Sequence, residues 1–175
     1  MDLVELKSLS KDEISERARK LDSNEISFLV ACLTEKDEKI RYPAFLLLQA
    51  SSQEFPFVYK YWDVLQSKLG SDNSYHRSTG LKLIAENVRW DEDNRFARTI
   101  NKYLRCCNDD KFITARQAIQ ALAIVISVTK TYNDPIKRSL TNFSSAKYNK
   151  GQIKLLNEDI RKILKIIENE GKQPK

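Results

Sequence analysis

Few side chains in this chain are equipped for chemistry, and their spacing decides what each could do. His76 is the sole histidine, so a two-histidine metal site fails on count and a Ser-His or Cys-His nucleophile has one residue to draw on. Beside Arg77 at a predicted helix start, His76 is expected to face solvent. Cys106 and Cys107 are adjacent and lack the C-x-x-C spacing that lets two thiolates close on one zinc ion. With Cys32 they make an odd number, which predicts free, mostly buried thiols in a reducing, cytoplasmic compartment. Gly70, Gly80, Gly151 and Gly171 stand singly, so no phosphate-cradling loop is present. Trp90-Asp91, flanked by Arg89, Arg95 and Arg98, has the residue types of an aromatic platform and a carboxylate for glycosidic chemistry on an extruded base. Asp91 also occupies an expected helix N-cap, where it has a structural role. These counts predict no metal, no cofactor and no enzyme.

The most patterned residues are Arg41, Arg77 and Arg116, 36 and 39 residues apart. Each follows an acidic turn: Asp37-Glu38-Lys39-Ile40, Asp72-Asn73-Ser74-Tyr75-His76 and Asp110-Lys111-Phe112-Ile113-Thr114-Ala115. Six residues after each stands a leucine, Leu47, Leu83 and Leu122. Two roles fit the column. Guanidinium forks match phosphate oxygens, so the three could line one face and bind a polyanion. Alternatively, each arginine fastens the acidic turn of its own or the neighbouring unit and fixes how helices stack.

The elements that position these residues are helical, because no stretch alternates apolar and polar residues between hairpin turns. Ser10/Glu13 and Asp22/Glu25 have capping-box spacing and predict two helix starts. Further helices are expected after Asp37, with a kink at Pro43; from Glu54-Phe55-Pro56; after Asp72-Asn73; after Asp91; over 112–128, apolar nearly all round and the candidate for mid-core; from Asp134-Pro135; and over 150–170. That makes nine. The last carries Ile153, Leu156, Ile160, Ile163 and Ile167 as a heptad-like seam, read as a capping helix, with a homodimer seam or a basic amphipathic surface as rivals.

Recurrence of turn, arginine and apolar ridge at 36 to 39 residues is similar to HEAT-type hairpins, whose usual period is about 40–47. Through Tyr61-Trp62-Asp63-Val64-Leu65, Lys68-Leu69 and residues 109–116, the chain resembles a group of small bacterial HEAT-like repeat proteins of unsettled activity, over roughly residues 40–170. More distantly the architecture is similar to HEAT-like alkylpurine DNA glycosylases, which implies a concave basic face that holds duplex DNA. The expected fold is an all-α superhelical solenoid of about four hairpins with a C-terminal capping helix, one domain over residues 1–170 and a flexible tail at 171–175.

Charge and hydropathy bound the partners. The 175 residues carry 30 basic and 24 acidic side chains, and the whole surplus falls after residue 129, which makes Lys154, Arg161, Lys162 and Lys165 a candidate basic surface. The longest apolar run, residues 121–126, is far below the roughly 20 residues of a membrane span, and the acidic start Met1-Asp2-Leu3-Val4-Glu5 is unlike a secretory signal. The leading expectation is a non-enzymatic scaffold for an extended protein partner. Nucleic-acid binding through Arg41, Arg77, Arg116 and the basic C-terminal quarter is the alternative, and an alkylated-DNA glycosylase a remote third.

Overall fold

Capping side chains set where the helices begin. In the computed structural model, which describes residues 1–170, Asp2 accepts the N–H groups of Val4 and Glu5 at 2.9 Å and opens α1 (Leu3–Ser8). The Ser10/Glu13 capping box opens a 3-10 turn (Lys11–Glu13) that runs into α2 (Ile14–Ala18). The Asp22/Glu25 box opens α3 (Ser23–Cys32). Asp37 caps α4 (Glu38–Glu54), which continues through Pro43. Then follow a 3-10 turn (Pro56–Tyr61), α5 (Trp62–Lys68), α6 (Ser74–Asn87), a 3-10 turn (Val88–Trp90), α7 (Arg95–Cys106), α8 (Phe112–Val128), α9 (Asn133–Thr141) and α10 (Lys150–Glu170). Among the described residues every regular element is thus helical. The tail expected to fray, residues 171–175, lies outside the described residues.

Four details differ from the sequence expectation, each for a local reason. There are ten α-helices among the described residues rather than nine, because Asp2 supplies an N-cap that the apolar pattern did not mark. The segment from Pro56 winds first as a 3-10 turn; Phe55, which precedes the proline, is held extended at φ −140° and ψ 149°. Asp91 accepts the N–H groups of Arg95 (2.8 Å) and Phe96 (2.7 Å), but from outside the helix. Asn94 stands at the N-cap with φ 54°, a left-handed conformation that asparagine tolerates, and the reversal brings Asp91 under the helix start. Helix α9 opens at Asn133 and not after Asp134. Pro135 is then its third residue, where the missing N–H is one of those that lack an intrahelical partner anyway.

Packing follows a simple order. Helices α3, α5, α7 and α9 each pack on the helix that follows, and α4 packs on α6, α6 on α8, and α8 on α10; α1 and α2 close the far side of α4. The buried apolar side chains run from Leu6 to Ile167 as one contiguous cluster. Trp62, fully buried, meets Phe96 edge-on and donates its Nε1–H to Thr99 Oγ1 at 3.0 Å, so its one polar group is satisfied inside. In α8 the buried set is Thr114, Ala115, Ala118, Ile119, Ala121, Leu122, Val125 and Ile126, in keeping with contacts to α6, α7 and α10. The α10 seam is covered within the chain, with Leu156, Ile160, Ile163 and Ile167 buried and α8 and α9 as its neighbours. No helix among the described residues is long and apolar enough to cross a membrane.

A Cβ on Gly80 would lie 2.8 Å from the Leu65 carbonyl oxygen and 3.0 Å from Lys68 Cβ, so the α5–α6 approach depends on glycine. Overpacking costs about 1–3 kcal/mol against a helix-propensity gain of about 1 kcal/mol, so Gly80→Ala is expected to lower the urea midpoint; a raised midpoint contradicts the close approach. Arg17 joins α1 to α3 by pairing with Glu5 and Glu25, and holds the Glu25 carboxyl down at about 2 from an ordinary 4.5. A depressed carboxyl stabilises the fold above its unfolded value and loses that contribution as pH falls toward the folded one. Glu25→Gln is therefore expected to flatten the dependence of stability on pH between about 4.5 and about 2, read by urea titration at a series of pH values. An unchanged slope contradicts the pairing.

Candidate functional site: a groove across four helix starts

Each seam between successive even-numbered helices from α4 onward holds one buried carboxylate that accepts N–H donors from across the seam. At α4/α6 it is Glu86, 2 % exposed, which accepts Gln49 Nε2 (3.2 Å) and Gln53 Nε2 (3.0 Å). Beside it Asn87 Nδ2 donates to Ser52 Oγ at 2.9 Å. At α6/α8 it is Asp109, in the turn before α8, which takes both arms of the Arg77 guanidinium at 2.6 and 2.7 Å. At α8/α10 it is Asp159, 5 % exposed, which accepts Arg116 Nε (2.8 Å) and Gln120 Nε2 (2.9 Å).

The arginine column is therefore engaged within the fold. Arg77 Nη1 also donates to the carbonyls of Ser71 and Asp72, and Arg41 Nη1 donates to the equivalent carbonyls of Glu35 and Lys36. The position matching Asp109 one unit earlier is Gly70, so Arg41 has no acid there and its guanidinium lies 4.0 Å over the Tyr75 ring instead. His76, expected in solvent, is half-buried, with Nδ1 3.3 Å from Ser71 Oγ; burial first, then Lys68 and Arg41, push its pKa down.

Aligned this way, the helices leave a groove of about 680 Å³ across the starts of α4, α6, α8 and α10. Positions three before and one after each column arginine line it: Glu38 and Tyr42, Ser74 and Ser78, Ile113 and Gln117. Phe45, Tyr75, Phe112 and Tyr148 supply aromatic walls. Tyr42 (38 % exposed) and Ile113 (58 % exposed) are large apolar side chains left open to solvent at its edge. The far wall is fixed by the segment before α10: Tyr148 Oη donates to the Asp109 carbonyl, and Lys147 Nζ reaches Asp110 Oδ1 at 2.7 Å. Burial, with Asp109 and Asp110 close by, pushes the Tyr148 phenol up to about 12.

Within the groove Lys82 is half-buried, with its ammonium 5.3 Å from the Phe45 centroid and no carboxylate partner among the described residues. Burial pulls its pKa below the ordinary lysine value. A charged group held this way is costly without a counter-ion, and the carboxylates of the lining, Glu38 and Asp110, make no ion pair with it.

No protein-family model and no curated protein matches this chain. The other sequence candidates are placed as follows. Lys154, Arg161, Lys162 and Lys165 are exposed on α10, and Lys162 Nζ is 3.9 Å from Asp159 Oδ1. Trp90 donates to the Ser52 carbonyl at 2.7 Å, and Asp91 holds the start of α7 and accepts the Tyr59 hydroxyl at 2.8 Å. All three cysteines are free and buried, and burial pushes the Cys106 thiol up to about 11. Sequence reasoning missed Lys82, Tyr42, Tyr75 and Tyr148. The arginine column held the signal for part of this, since the same two offsets from each arginine fall on the groove.

The unequal partners of the column predict unequal costs. Breaking a buried pair at one end costs about 3 kcal/mol, whereas removing exposed carbonyl bonds and one cation–π interaction costs about 1 kcal/mol. In urea unfolding, Arg77→Ala is expected to destabilise clearly more than Arg41→Ala; equal destabilisation contradicts the assignment of Arg77 to the seam.

Proposed function

We propose that the protein is a non-enzymatic scaffold whose groove holds an extended segment of a protein partner that bears aromatic and acidic side chains. The observation that carries this reading is the groove across four helix starts, with aromatic walls and one half-buried lysine that lacks an acid. Its length along successive helices suits an extended chain better than an enclosed small molecule. A HEAT-like α-α superhelix in one domain, with α3/α4, α5/α6, α7/α8 and α9/α10 as its hairpins, is the architecture we infer; the pairing order of the helices and the matched Arg41 and Arg77 carbonyl bonds support it. The free thiols favour a cytoplasmic site of action.

A nucleic-acid role for Arg41, Arg77 and Arg116 ranks second, because Arg77 is held by Asp109 and turn carbonyls, Arg41 Nη1 by turn carbonyls with its guanidinium on the Tyr75 face, and Arg116 Nε by Asp159. Phage display of random peptides on the folded protein tests the leading reading. Selected sequences are expected to combine Asp or Glu with Phe, Tyr or Trp, and to bind poorly to Lys82→Glu and Tyr42→Ala proteins that melt normally. Selected peptides that bind both variants as well as the parent protein would falsify the groove assignment.

A further inference from the structure

On the opposite layer of the molecule from the groove, α7 and α9 flank a cleft of about 630 Å³. Its polar lining is Asn101, Arg105 and Asn108 from α7 and the turn after it, with Arg138, Ser139 and Asn142 from α9 and its end, and it includes no carboxylate. Arg105 and Arg138 are exposed, and neither guanidinium has a hydrogen-bond or ion-pair partner among the described residues. Arg98, exposed and one and two turns from Asn101 and Arg105, extends the row along the same face of α7. This contrasts with Arg77 and Arg116, which face buried aspartates.

The surrounding charge has the same sign. Helices α7 and α9 carry Arg95, Arg98, Lys102, Arg105, Lys137 and Arg138 against Asp134, and of these cations Arg95 is paired to Asp63 and Asp93. The two helices that flank the cleft are therefore net positive, with Asp134 one turn before Arg138 as their one acid.

We propose that the α7/α9 cleft binds the phosphodiester backbone of a nucleic acid. Two free guanidinium forks interleaved with amide and hydroxyl donors are the side chains that contact phosphate and sugar without reading bases. A row of cations that outruns a single oxyanion fits a polymer. An anionic membrane surface fits poorly, since none of the exposed large apolar side chains of the described residues lies on α7 or α9. The surface is separate from the groove and does not depend on the peptide reading.

The test is fluorescence anisotropy of a short labelled DNA duplex with the whole protein, at salt from about 50 to about 200 mM. Saturable binding that weakens with salt is expected. In the Arg105→Ala/Arg138→Ala protein the log–log salt slope should fall in magnitude by about 2, near 0.9 for each phosphate that is no longer neutralised. Both side chains are exposed, so the melting curve should not move. Arg161→Ala/Lys165→Ala on α10 and Tyr42→Ala in the groove should leave the slope as it was. No saturable binding at the lowest salt, a slope that the cleft variant does not change, or competition by poly-glutamate as effective as by unlabelled DNA would each overturn the proposal.

Discussion

A carboxylate removed from water must find donors, and in this fold the donors stand on the neighbouring helix. Glu86, Asp109 and Asp159 each lie at one of the three seams along α4, α6, α8 and α10, and each is met from across it by arginine or glutamine N–H groups. Apolar ridges alone would tolerate sliding by a turn, because leucine and isoleucine contacts are non-directional. A buried acid does not, since one turn of slippage would separate it from its donors at a cost of several kcal/mol. The apolar core supplies most of the stability, and the acids choose the register in which it forms.

Register is what makes the groove a continuous feature. Its lining recurs at fixed offsets from the arginines, so Tyr42, Ser78 and Gln117, one residue after Arg41, Arg77 and Arg116, fall on the groove together. The substitute for an acid at Arg41 has a direct consequence there, since the guanidinium lies on the Tyr75 ring and holds a wall residue in place. Tyr148 does the same at the other end, joined to the Asp109 carbonyl in the turn that also receives Arg77. The seam network and the groove thus touch through Tyr75 and Tyr148, while the cations of α7 and α9 stand outside both.

Much of the helical layout was legible because local rules act over a few residues: the Asp22/Glu25 box and the apolar run of 112–128 mark α3 and α8 directly. Where a rule reached beyond its neighbours, the sequence misled. Asp91 caps α7 from across a loop because Asn94 turns left-handed, which spacing does not reveal. The arginine column was visible, but Asp159, the partner of Arg116, lies 43 residues on within an amphipathic helix and resembles any solvent-facing acid. Lys82 was unreadable for the same reason, since its isolation from acids is a property of three helices together.

Pulsed electron paramagnetic resonance between spin labels at Glu38 on α4 and Ile113 on α8 reads most directly whether the seam acids hold the groove in register. Both sites are exposed and lie on its rim. A single narrow distance is expected in the parent background, with a shifted or broadened distribution when Asp109→Ala removes the α6/α8 acid. An identical narrow distribution in both proteins would mean that apolar packing alone sets the register.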